Sequence, residues 1–157
     1  MAVILRNCAE FCRNLFQPFN KETLLHHYTP ICGVISHSLF TMHVLSPEIV
    51  RSWTMNDLAV SNGLLIVSTI GIGAYIYGRP HLSEFRWVDR TEHTIFATVL
   101  FNFGSLLMTV LLKGFIPSRA NVALKSFLAL FISYFLLSRG RKYFEHIDSQ
   151  ASREKRK

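Results

Sequence analysis

Five histidines stand where an imidazole could act: His26 and His27 ahead of an apolar stretch, His37 and His43 inside it, and His93 at the head of another. Imidazole can ligate a metal or haem iron, or carry a proton, and an ionisable side chain within an apolar span is a functional candidate by default. On one helix His37 shares a face with Thr41 and His43 with Ser36, so the two rings point about 120 degrees apart and cannot bind one metal together. Haem would need a second axial ligand from another helix. His93 lies at the depth of His26 and His27, whereas His43 lies near the opposite face. Spacing and depth do not converge, so the expectation is neutral, hydrogen-bonded histidines with no metal and no cofactor. A haem or redox protein using His37 or His93 ranks third among the functional readings.

The most regular polar pattern is Thr94, Thr98, Asn102, Ser105 and Thr109, which step by four, four, three and four and line one stripe of a helix. A carboxamide left unpaired in hydrocarbon is costly, so Asn102 is expected to bond a neighbouring helix. The bland reading of this stripe is interhelical packing, and the sharper one is a polar path completed by His37. Ser61, Ser68 and Tyr75 recur at heptad spacing in the preceding apolar run, where Thr69 and Gly73 form a small-xxx-small pair. Ala129 and Ser133 repeat that spacing later. Small residues let helix backbones approach closely where lipid removes the hydrophobic drive to associate.

Cys8 and Cys12 are four residues apart, on one face of a proposed surface helix, which is a setting for reversible palmitoylation or for two small apolar packing residues. With Cys32 they make three cysteines, lacking CxxC spacing, so neither a disulfide framework nor a structural zinc site is expected. At the far end, Lys155 is third and Arg153 fifth from the carboxyl terminus. The pair resembles the dilysine retrieval signal of endoplasmic reticulum membrane proteins, with Arg in place of the outer Lys. A solvated basic tail is the competing reading.

The elements that must position these residues are membrane spans. Leu58 to Gly78 contains no acidic or basic side chain over 21 residues, enough to cross a hydrocarbon core of about 30 Å. Four spans are expected, at about 30–45, 58–77, 94–112 and 120–137. The first is the weakest, being short and carrying two histidines; the last requires Lys125 to snorkel. Pro30 suits an opening turn and Pro47 a stop. Before them, residues 3–16 place apolar side chains at helical spacing away from Arg6, Glu10 and Arg13, which reads as an amphipathic helix lying in the interface.

Thirteen of the 17 Lys and Arg residues fall on one side if all four spans cross, so the positive-inside rule puts both termini in the cytosol. With three spans that bias would largely dissolve. The loop from Gly78 to His93 alternates Arg79, Glu84, Arg86, Asp89, Arg90 and Glu92 around Phe85 and Trp87, a pattern suited to local ion pairs or to docking a partner.

Half of the 157 residues are hydrophobic and 13 are Phe, with positive mean hydropathy, which sets the chain apart from soluble domains of this length. The net charge of +7 is concentrated at span ends and in the tail, where anionic headgroups rather than nucleic acid are the expected partner.

The expected fold is all-α, a transmembrane four-helix bundle: a cytosolic amphipathic segment 1–27, a membrane domain 28–137 and a basic cytosolic tail 138–157. There is no nucleotide loop, no intramembrane acid and no nucleophile with a base, so no enzyme is expected. The leading expectation is an accessory or scaffold subunit of the endoplasmic reticulum membrane, supporting assembly or trafficking of another integral membrane protein, or self-associating as a homo-oligomer. A small oligomeric transporter or channel is the first alternative for function, and the mitochondrial inner membrane the alternative location.

Overall fold

A computed structural model describes residue 18 and residues 20–48, 56–117 and 120–154. The amphipathic segment 3–16, with Cys8 and Cys12, lies outside the described residues, as does Lys155. Asn20 caps a single helical turn, Lys21–Thr23, by accepting the Lys21 amide at 2.8 Å. A π-helical turn, Leu24–Tyr28, leads into α1, Thr29–Leu45, which carries Pro30 in its first turn, as its fixed φ allows. Then come α2, Asp57–Tyr77, a 3-10 turn at Pro80–Leu82, α3, Trp87–Phe115, and α4, Val122–Glu154.

Three of these helices, α2, α3 and α4, are long and apolar enough to cross a membrane by length and composition. At 17 residues, α1 falls short by itself. It nevertheless lies alongside α2 from end to end in antiparallel fashion. His26, just before α1, reaches Gly78 at the close of α2, while His43 pairs with Asp57 at its start, 3.1 Å apart. Between these ends the backbones nearly touch: a Cβ on Gly71 would stand 2.3 Å from Gly33 Cα.

Helix α1 also meets α3 and α4, and Ser36, His37, Phe40, Thr41 and Leu45 are all buried among them. That central position explains why its sequence is the least lipid-like: much of its surface faces protein. The long helices instead turn large apolar side chains outward, among them Phe96, Phe103, Phe127 and Phe131.

Two helices exceed their expected spans. Helix α3 opens at Trp87, ahead of Thr94, and runs to Phe115, because Asp89 favours the first turn and Arg90 donates from Nε to the Tyr77 carbonyl at 3.0 Å. Helix α4 has 33 residues, about 50 Å at 1.5 Å per residue, so the expected tail is helical from residue 138 to Glu154. An Arg141–Glu145 pair at 2.7 Å supports this extension on its surface. Underneath, Phe144 packs with Ile72, Ile76 and Leu82.

Asp148 fastens the same extension to the α2–α3 connection. Its Oδ1 accepts the His81 amide at 3.2 Å and also bonds the His81 ring, while Oδ2 lies 3.2 Å from Arg79 Nε. The guanidinium N–H is not aligned for a hydrogen bond there, so that contact is one of charge.

Candidate functional site

The polar groups converge on His37, whose residue is 1% exposed. Ser105 of α3 has the Asn102 carbonyl at 2.9 Å and His37 Nε2 at 3.0 Å, so with its hydroxyl donated to the carbonyl it accepts from the ring. In that arrangement the ring proton sits on Nε2. Nδ1 then accepts the hydroxyl of Ser133, on α4, at 2.8 Å. One neutral imidazole therefore joins three helices, with the Phe101 ring 5.6 Å from its own. Ser38 donates to the Val34 carbonyl at 2.9 Å and lies 3.0 Å from Ser133 Oγ, extending the cluster outward.

The α3 stripe is placed as its spacing predicts: Thr94, Thr98, Asn102, Ser105 and Thr109 are the helix's buried residues. Thr94, Thr98 and Thr109 spend their hydroxyls on the carbonyl one turn back, at 2.7 to 2.8 Å. They serve as compact side chains with satisfied polar groups rather than as interhelical bonds. Asn102 donates in the same way to the Thr98 carbonyl at 3.0 Å and accepts from Ser68 of α2 at 3.4 Å.

Because that last bond is long, Asn102→Leu should cost about 1 kcal/mol, less than loss of the His37 bridge. Detergent-resistance curves of the purified protein check this, and unchanged resistance would show that Asn102 contributes nothing to helix association.

Other predicted residues fall elsewhere. Ser61 is only half-buried, and Thr69 bonds its own helix at the Leu65 carbonyl, 2.7 Å away. Ala129 and Ser133 are fully buried. His43 lies 3.1 Å from Asp57 of α2. His93 is exposed, bonds the Asp89 carbonyl at 2.7 Å and stacks on Phe85 at 5.3 Å. It stands about 18 Å along α3 from Ser105, far from His37, whose two ring nitrogens both face serine hydroxyls. No iron-binding pair forms between these histidines.

In the charged loop, Arg90 covers the Tyr77 ring at 3.9 Å and Arg79 the Tyr75 ring at 4.8 Å. These two cations thus engage tyrosine rings, and Arg79 also the distant Asp148, rather than acids of the loop itself, while Trp87 is left 77% exposed. Arg153 lies in the last turn of α4.

Sequence reasoning missed three features. Gly33 is the lone glycine of α1 and Gly71 one of three in α2, and nothing in the sequence pairs the two. Ser133 was legible as a small residue but not as a partner of His37. Asp148 gave no signal, because its role depends on the path of a distant loop. Beside the His37 cluster, α1, α2 and α4 enclose a cavity of about 640 Å³ that reaches Ser38.

Comparison of the chain with protein-family models, with curated proteins and with solved structures found no match.

Proposed function

We propose that this membrane protein is a non-enzymatic accessory or scaffold subunit. It packs against a larger integral membrane protein and supports that protein's assembly or trafficking. The observation that carries this reading is the internal satisfaction of the α3 stripe. Its hydroxyls and carboxamide are spent on backbone one turn back or on α1 and α2, so they act in packing rather than as the lining of a path. The outward faces are apolar and aromatic, suited to lipid or to another membrane helix.

In this reading α1 is a fourth crossing, supported by its antiparallel alignment with the whole of α2. Four crossings bring both basic termini to the cytosolic side of the endoplasmic reticulum membrane. Affinity capture from native membranes in mild detergent tests the proposal: one stoichiometric membrane partner is expected, and recovery of the protein alone would overturn it. The retrieval signal predicts that Lys155→Ser releases the protein to later secretory compartments by fluorescence microscopy. Unchanged reticular staining would remove the support that the tail gives to this location.

The small-transporter alternative draws on one observation, that Ser38 connects the cavity to His37 through Ser133. Flux of solutes or protons in liposomes would favour it.

A further inference from the structure

We infer that the cavity between α1, α2 and α4 binds an anionic glycerophospholipid taken sideways from the surrounding bilayer. Its volume of about 640 Å³ falls within the roughly 300–1,000 Å³ of small-molecule sites. Three of its lining residues, Val34 and Ile35 on α1 and Tyr134 on α4, are 42%, 54% and 73% exposed. The cavity therefore opens between these two helices towards hydrocarbon, which makes the bilayer its source of ligand.

Its two ends differ chemically. Along the walls are Ile31, Ile72, Ile76, Phe101 and Leu137, and at one end are His26, His27 and Arg141. The ionisable lining residues other than Tyr75 and Tyr134 are these three bases, and no Asp or Glu is among them. A phosphate headgroup is matched by the donors of such an end, whereas the ammonium of a choline or ethanolamine headgroup finds no unengaged carboxylate among the lining residues, the neighbouring Glu145 being bonded to Arg141. Arg141 uses Nε to bond Glu145 at 2.7 Å, and an anion would be met by the N–H donors of its Nη groups.

The basic end also sits at headgroup depth. His26 packs against Gly78, just past the last turn of α2, with its Nδ1 3.0 Å from where a Cβ would stand. The π-helical turn Leu24–Tyr28 is wider than an α-turn and brings both His26 and His27 to the cavity; Thr29 stabilises it by donating to the Leu24 carbonyl at 2.8 Å. Such turns are common at functional sites. From Pro30 to Ser38 the wall rises about 12 Å along α1, close to the ~15 Å of one leaflet's hydrocarbon. A headgroup held at the histidines would lay an acyl chain down to Ser38.

Photolabelling of the full chain tests the site. The protein is placed in phosphatidylcholine nanodiscs containing a trace of phosphatidylglycerol with a diazirine in one acyl chain, and adducts are mapped by mass spectrometry. Adducts are expected on 31–38 and 134–141. Unlabelled phosphatidylglycerol in about tenfold excess over the probe should suppress them by about tenfold, as competition at one site requires, while added phosphatidylcholine leaves them in place. Labelling spread evenly over Phe96, Phe103, Phe127 and Phe131, or competed equally by both lipids, would overturn the inference. Arg141→Gln, at an exposed position, should fold normally and lose the preference for phosphatidylglycerol; full retention of that preference would overturn the headgroup assignment. Ile35→Trp, at the cavity mouth, should reduce labelling of Tyr134, and undiminished labelling there would place the lipid elsewhere.

Discussion

Replacement of Gly71 by leucine is expected to abolish the folded, monodisperse protein. A Cβ at this position would lie 2.3 Å from Gly33 Cα, 2.7 Å from Gly33 N and 2.7 Å from the Thr29 carbonyl oxygen. All three are backbone atoms of α1, so no rotamer change relieves the clash, and the two helices must separate along their closest contact. Overpacking of a well-fitted interior costs about 1–3 kcal/mol, and a backbone obstacle on both sides places this substitution at or above the upper figure. Even Gly71→Ala meets the same atoms.

The other glycines supply the contrast. Gly73→Ala would bring its Cβ 3.5 Å from Thr98 Oγ1, an ordinary contact, and Gly63, Gly104 and Gly114 face open space. Alanine at those three positions removes a helix-weakening glycine, a gain of up to about 1 kcal/mol each. Thermal unfolding followed by tryptophan fluorescence, with size-exclusion chromatography in the same detergent, checks the series. A Gly71→Leu protein as stable as Gly104→Ala would mean that α1 and α2 do not pack at this crossing.

The difference between these glycines marks what the sequence makes legible. Helix α2 ends within a residue of its expected limits because Asp57 and Gly78 are visible boundaries to an uncharged run. The α3 stripe is legible for a similar reason: polar residues recurring at helical spacing within an apolar segment define a buried face, and all five are buried. Hydropathy reports where lipid ends, however, not where a helix ends. The charges between Arg86 and His93 mark the edge of the apolar span, yet the helix begins at Trp87. Likewise Arg139, Arg141 and Lys142 mark the end of the fourth apolar run without ending α4.

Pairings between helices are less legible still, since they depend on rotation and depth together. Spacing shows that His37 and His43 face different ways, but not that His43 reaches Asp57. Nor does it show that serines of two other helices flank His37 at the same depth. The segment 3–16 tests nothing of this, lying outside the described residues.

His37 should therefore be the polar side chain whose loss is felt most widely. His37→Leu keeps comparable bulk but removes both the bond to Ser105 and the bond to Ser133. Each interhelical bond in a membrane contributes about 0.6–2 kcal/mol, so the direct loss is about 1–4 kcal/mol, less whatever the serines regain. Ser105 already donates to the Asn102 carbonyl and loses only an accepted bond. Ser133 is fully buried and can turn its hydroxyl to Ser38, 3.0 Å away. The expected cost thus lies near the middle of that range, above that of Asn102→Leu, whose interhelical contact is 3.4 Å.

A double-mutant cycle of His37→Leu with Ser133→Ala, read by unfolding in mixed micelles, isolates the α1–α4 bond. The double variant should cost about 1 kcal/mol less than the sum of the two single variants, because removing both partners leaves no buried nitrogen or hydroxyl without its mate. A coupling indistinguishable from zero would show that the Nδ1–Ser133 bond does not hold the two helices together. The cavity beside them would then owe its shape to apolar packing and to the Gly33–Gly71 contact instead.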